Sequence, residues 1–273
     1  MDDELVSDDL WQTLQPLLPP ERRTPRSRGR PRIPARAVLC GIVYVLKTGI
    51  PWKRLTKELG YGSGVTCWRR LKEWQRAGVF SLLLRKLLDS LVTRGLIDWS
   101  RACVDSASVP AKKGGELVGP NPTDRGKPGT KRHLFTNATG LPLAVLVTGA
   151  NVHDCKVFEE LLDAVPPVKG RRGRPRKRPE KLHADKGYDF PFCRRALHRR
   201  RIKVRIARRG KDSSSRLGRR RWVIERTLAW LSSYRRLTVR YERRADIQEA
   251  FLQLACSLVC LGRLRRSARG DQR

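Results

Sequence analysis

Acidic side chains are scarce in this 273-residue chain: 26 Asp and Glu stand against 60 Lys and Arg, for a formal net charge of +34. Five of the acids (Asp2, Asp3, Glu4, Asp8 and Asp9) crowd the first ten positions, so the remainder is more basic still. A pI near 11.2 is the footprint of a polyanion binder, one shared by ribosomal-type proteins and general DNA coaters. Paired cysteines are missing too. The seven thiols, at 40, 67, 103, 155, 193, 256 and 260, form no CxxC pair. Cys256 and Cys260 share a helix face but lack nearby His ligands, so no zinc framework is expected; the thiols read as buried side chains of a reducing cytosol. No basic stretch leads into an apolar run at the N-terminus, so no signal peptide is expected. No apolar run reaches the roughly 18 residues of a membrane span. The expectation is a soluble, cytoplasmic, nucleoid-associated protein with no membrane partner.

What is present is enough apolar material, 39% of residues, for the core of one or two domains rather than a disordered basic tail. The first hundred residues read as helices. Ser7 caps a short one carrying Leu10, Trp11, Leu14 and Leu17, which Leu18-Pro19-Pro20 ends. Residues 21–34 form a basic loop. Pro34 opens a helix with Val38, Leu39, Ile42, Val43 and Leu46 inward, closed by Thr48-Gly49. Pro51 starts another (Trp52, Leu55, Leu59), stopped at Gly60. A helix from about Ser63 presents Val65, Trp68, Leu71 and Trp74, with Arg69, Arg70 and Lys72 between them. Short helices of this kind, the last one basic, fit a helix-turn-helix-like DNA-binding module, with a structural helical cap as the alternative. Phe80 to about Arg94 forms a longer, Leu-rich helix. We place this domain at residues 1–95.

After Gly95 strands appear: Arg101–Val109, Lys131–Asn137 with Leu141–Thr148, Leu182–Ala184 and Lys203–Ala207. Helices follow at Asp154–Val165, Phe190–Arg200, Arg219–Tyr234 and Asp246–Arg263, and basic loops fill 110–130 and 166–180. The order β-β-β-α-β-α-β-α-α predicts an α/β domain, a mixed sheet flanked by helices, over 96–265, followed by a basic tail at 266–273. In that arrangement the first and fourth strands lie side by side.

Against this background three acids stand out: Asp105 in ACVDSASV, Asp185 in KLHADKGYDF and Glu225 in RRWVIERTLAWL. Each falls at the tip or edge of a different predicted element. Taken singly they have ordinary readings: Asp105 as a strand end, Asp185 as a turn or cap acid before Lys186-Gly187, Glu225 as an exposed helix residue paired with Arg221 or Arg226. Taken together, their oxygens suit a hard dication such as Mg²⁺, and a pair of such ions clamps both oxygens of a phosphodiester in displacement.

The segments VDSASVPAKKGG, GKPGTKRHLFTNATGLPLAVLVTGANVHD, HADKGYDFPFCRRAL and RRWVIERTLAWLSSYRRLTVRYERRADIQEAFLQLACSLVCL closely resemble DDE transposases of bacterial insertion sequences, nearest to the family numbered five within the wider family-four-like group. The resemblance runs over most of the chain. It implies a ribonuclease-H-like fold behind an all-helical N-terminal domain. It also implies that Asp105, Asp185 and Glu225 are the catalytic, metal-binding acids, served by Mg²⁺ or Mn²⁺, two ions. Related proteins place a Tyr, an Arg, the Glu and a Lys along the final helix. Here Arg221 stands one turn before Glu225, but Gly218 and Ser232 occupy the Tyr and Lys positions, and Arg235 or Arg236 is the candidate replacement for the Lys.

His133, His153 and His183 lie close to strand ends. Without a HExxH or CxxC framework they read as hydrogen-bonding partners of acids or phosphate, and Asp154 as an accessory acid. Arg-Gly-Arg-Pro-Arg occurs twice, at 28–32 and 172–176, so Arg28, Arg30, Arg32, Arg172, Arg174 and Arg176 join Arg69, Arg70, Lys72, Lys131, Arg132 and Arg221 as expected DNA contacts. Such cores suit a narrow minor groove or generic phosphate contact. The expected partners are double-stranded DNA, terminal inverted repeats and target DNA, handled by a homodimer or larger assembly. A nuclease of the same fold and a non-catalytic, transposase-derived regulator are the alternatives.

Overall fold

The computed structural model describes residues 5–20, 31–170, 173–211 and 214–270, with the side chains of 214–220 excepted. Helix α1 (Asp8–Leu14) starts where the Ser7 hydroxyl accepts from the Leu10 amide, and it tightens into a 3₁₀ turn, Gln15–Leu17, before Pro19. Helix α2 (Ala35–Thr48) follows Pro34 and stops at Gly49, whose φ of 74° is the left-handed cap that lacks a Cβ penalty. The stretch after Pro51 departs from expectation. Instead of one helix it forms two 3₁₀ turns, Trp52–Arg54 and Lys57–Leu59. Eight residues separate Pro51 from Gly60, and the first turn lies against Gly64, where a Cβ would come within 1.8 Å of the Trp52 carbonyl oxygen. Helix α3 (Gly64–Arg76) is capped by Ser63, and α4 (Val79–Thr93) follows Gly78.

The sheet contains β1 (Ala102–Pro110), β2 (Gly119–Pro120), β3 (Pro128–Asn137), β4 (Pro142–Gly149), β5 (Lys181–Ala184) and β6 (Lys203–Ile206). Its order is β2-β3-β1-β5-β6, with β4 also paired to β3. The β1–β3 and β3–β4 pairs are antiparallel, while β1–β5 and β5–β6 are parallel. The expected first and fourth strands, β1 and β5, are therefore neighbours. The β3–β4 turn closes on the Asn137 side chain, which accepts from the amides of Thr139 and Leu141. Helices pack against this sheet through β1, β3, β4, β5 and β6, so the architecture is the expected mixed α/β sheet flanked by helices.

Helices α5 (Phe158–Ala164), α6 (Pro191–Arg199), α7 (Ser214–Ser233), α8 (Arg235–Thr238) and α9 (Ala245–Ala268) complete the chain. Strand β2 and helix α8 are absent from the sequence expectation. Between them runs a tie from Arg240, 1% exposed, whose guanidinium donates to the carbonyls of Leu117 and Glu116 and to the Thr130 hydroxyl, fastening the segment before β2 to the chain after α8. Helix α9 runs past the expected end at Arg263, so the boundary at 266 falls inside it. By length and composition alone it is long and apolar enough to cross a membrane, with a mean hydropathy of 1.3, but 67% of that window is buried inside the protein. It is the core helix. It packs against α3, α4, α7 and β4, and one continuous apolar cluster runs from Val6 through the sheet to Leu264.

Candidate active site

Strand direction gathers the site. Because β1 and β4 both run antiparallel to β3, the C-terminal ends of β1, β4, β5 and β6 face one edge of the sheet, where open α/β sheets place their ligands. The parallel register pairs Ala102 with Leu182 and Cys103 with His183; two residues on, it brings Asp105 level with Asp185. Asp105 is not at a strand tip. It pairs with Leu134 inside β1, which runs on to Pro110. It emerges because its neighbour β5 stops at Ala184.

The Asp105 carboxylate accepts from the Ser106 amide at 2.9 Å and from Arg221 Nη2 at 2.6 Å. Burial pushes its pKa above the ordinary carboxylate range, and the Asp185 charge adds to this; Arg221 and the Ser106 amide pull the other way without cancelling it. Arg221 pays a burial penalty of its own, yet Asp105, Asp185 and Glu225 together hold it more firmly protonated than usual. Asp185 caps the 3₁₀ turn Lys186–Tyr188, accepting from the Gly187 amide at 2.8 Å. Its ordinary reading as a turn acid and its place beside Asp105 are both realised. Glu225 is exposed on α7, one turn beyond Arg221.

Asp154 follows β4 at the same edge, with Oδ1 2.8 Å from Lys131 Nζ and 3.9 Å from His133 Nδ1. Tyr188, which sequence reasoning missed, lies under this group. Its phenol is raised well above 10 by burial and then by Asp154, Asp105 and Asp185. The hydroxyl is buried with no hydrogen-bond partner among the described residues. That orphaned donor-acceptor among carboxylates, with donors that are all oxygens, fits a hydrated hard cation, which takes one or two carboxylates and keeps several waters. Among the described residues no three His, Cys, Asp or Glu side chains already close around a metal-sized space; Arg221 supplies the compensating charge.

Three residues expected on DNA point inward. Arg132 is 4% exposed, donating to the Leu228 carbonyl and to the Ser232 hydroxyl at 2.5 Å, so the Ser232 position is met by a guanidinium from β3. Lys131 is held by Asp154 and the Val152 carbonyl. Arg70 is 9% exposed and pairs with Glu73. Both faces of β3 are covered and Arg70 lies on the packed side of α3, so their charge is used internally. Arg236, a candidate replacement for the missing Lys, is likewise buried in an ion pair with Glu242, while Arg235 is exposed. Arg32, Arg69 and Lys72 line a groove of ≈ 700 Å³ with Arg76 and Trp68. Arg174 and Arg176 line another of ≈ 720 Å³. Arg28, Arg30 and Arg172 lie outside the described residues.

Of the histidines, His133 is buried against the Thr148 hydroxyl at 2.8 Å, and burial pushes its pKa down to about 4. His153 caps the turn before α5 and contacts the Cys155 sulfur. His183 sits on β5 opposite Cys103. A second feature missed in the sequence is Arg226, which lies over the rings of Trp222 and Trp230 at 4.6 Å each and donates to the Thr139 carbonyl. The W-x₃-R-x₃-W spacing on α7 was its signal.

Two family models match this chain. Residues 99–260 match the family described as "Transposase DDE domain", and residues 6–84 match "Putative transposase of IS4/5 family". The "Putative transposase for insertion sequence element IS402" of Burkholderia cepacia is 49% identical over 183 residues, which is 67% of this chain and 85% of that protein. A 16.2 kDa uncharacterized protein of the same insertion element is 48% identical over 119 residues, 43% of this chain and 81% of its own. Among solved structures, the Mos1 mariner paired end complex with Mn aligns at 12% identity and a TM-score of 0.26, over 93% of this chain and 88% of that one. On the extent of the family match and the identity to the IS402 protein, the chain belongs to the DDE-domain transposases of insertion sequences.

Proposed function

We propose that this transposase cleaves DNA at the ends of its insertion sequence and joins the freed 3′-OH to target DNA at Asp105, Asp185 and Glu225. The observation that carries the reading is the parallel β1–β5 register, which levels Asp105 with Asp185 while Arg221 of the Glu225 helix bonds Asp105. The three acids would hold Mg²⁺ or Mn²⁺, as two ions. Bound there, the metal supplies Lewis-acid stabilisation of the attacking and leaving oxygens. The chain's own residues do the rest. Asp105 and Asp185 keep fixed positions through the Ser106 and Gly187 amides. Arg221 holds the acids at one locus and offers a cation to the phosphodiester. Asp154, anchored by Lys131, adds a third carboxylate to that edge.

In this reading residues 1–95 recognise the terminal inverted repeats, with Arg32, Arg69 and Lys72 fixing the phosphate register. Residues from 96 to the end of α9 at Ala268 carry the chemistry. Two ends and a target are brought together by a dimer or larger assembly, within the cytoplasm at the nucleoid. Asp105→Ala, Asp185→Ala and Glu225→Gln are each expected to lower end cleavage by about 10³-fold or more while end binding in a gel-shift assay survives. Retained cleavage in any one removes that residue from the site. A strand-transfer assay with a pre-cut end separates a transposase from a nuclease, which cuts but never joins.

A further inference from the structure

Three loops leave the site edge after β4, β5 and β6, and their side chains meet around Phe190. Each contributes to one surface group that the cleavage chemistry leaves unused. Phe190, five residues past Asp185, receives the edge of the His153 ring at 5.5 Å and 88°. The Arg209 guanidinium lies over its ring at 4.7 Å. Phe192 stacks against it at 5.6 Å and 29° and is itself 41% exposed. The group is tied to the Asp185 turn: Arg209 Nε donates to the Lys186 carbonyl at 3.0 Å, and its amide donates to Asp189 at 2.8 Å. Asp189 also takes Arg194 at 2.6 Å.

Core packing does not account for a half-open Phe stacked on another aromatic ring. The segments that carry the group expose Lys156, Arg195 and Arg209, while its carboxylate Asp189 is already taken up by Arg194 and the Arg209 amide; this disfavours an apolar protein partner and favours a polyanion that also has flat faces. Bases within a duplex keep their faces stacked on one another, so an unpaired nucleotide is the occupant that satisfies both the ring and the charges. Resting on the nucleotidyl-transfer reading above, we propose that Phe190, Phe192 and Arg209 form a stacking platform for an unpaired nucleobase of the strand held beside Asp185. Every base has a π-face, so the platform discriminates little among the four.

The test uses the full chain with EDTA present, so that nothing is cut, and two end duplexes: one blunt, one with a short single-stranded tail carrying 2-aminopurine. Wild type is expected to quench the tail fluorescence. Phe192→Ala is expected to lose the quenching and to bind the tailed duplex about 5- to 150-fold more weakly, with blunt-duplex affinity unchanged; Phe192→Trp restores both. Phe192 is exposed, so the variants keep the fold, and circular dichroism checks this. If Phe192→Ala quenches and binds like wild type, the platform is refuted. If it changes sedimentation but not tail binding, the surface is a protein contact and the proposal likewise falls. Tail quenching that behaves as expected while Asp105→Ala still cleaves leaves the platform standing and removes the catalytic assignment.

Discussion

His133 is the residue whose surroundings translate most directly into a measurable property. It sits on β3 beside Lys131 and Asp154, and burial holds its folded pKa at about 4 against 6.5 for the free side chain. The unfolded chain therefore binds this proton at a higher pH than the folded one. The stability contributed by the neutral imidazole is complete above about pH 6.5 and is lost as pH falls toward 4. The full difference is about 3 kcal/mol. Denaturant midpoints between pH 7 and 4.5 are expected to fall in wild type and to fall less steeply in His133→Gln; parallel slopes in the two refute the assignment. The same strand shows where residue-level reading of the sequence stops. Scarcity made Asp105, Asp185 and Glu225 visible. Lys131-Arg132-His133 looks like a basic surface run, yet nine of the ten residues of β3 are buried or half-buried. Alternation gives the period of a strand; it does not say whether both faces are covered.

At the scale of elements, caps and breakers were readable because they act locally: Ser7, Ser63 and Gly49 sit where the helices begin and end. Strand β2 and helix α8, two and four residues long, were not, because pieces that short carry no periodicity of their own. A long-range tie joins the N-terminal helices to the rest. Glu242, 7% exposed, accepts from Arg236 and from the Trp52 indole at 3.1 Å, and Trp52 stacks on Phe251 of α9. Removing one partner of a buried ion pair costs about 3–5 kcal/mol, since the other charge is left uncompensated. Glu242→Leu is therefore expected to lower global stability by about that amount. Hydrogen exchange should rise first in α2 and the 3₁₀ turns that follow it, before the β1–β3 amides. Uniform loss of protection across both regions contradicts the tie.

For the molecule as a whole, composition indicated the partner and the order of strands indicated the architecture, while the division of labour among 60 cations needed coordinates. Buried guanidiniums at Arg132, Arg236 and Arg240 hold the protein together; those lining the grooves at α3 and around Arg176 stand at the surface. Each phosphate neutralised adds about −0.9 to the slope of log affinity against log salt. Arg69→Ala and Lys72→Ala are each expected to flatten that slope for an end duplex by about 1. An unchanged slope excludes the α3 groove from the DNA contact.

Helix α9 packs against α4, although its first residue, Ala245, lies 152 positions after the last residue of α4, Thr93. At about 5–20 residues per second, a ribosome needs roughly 8–30 s to supply that counterpart. Throughout this interval the face of α4 that α9 will cover stays open to water and to other nascent chains. The newborn polypeptide is thus a natural client for a holdase chaperone, and any shortfall in such protection should appear as aggregation during synthesis rather than as weaker chemistry afterwards.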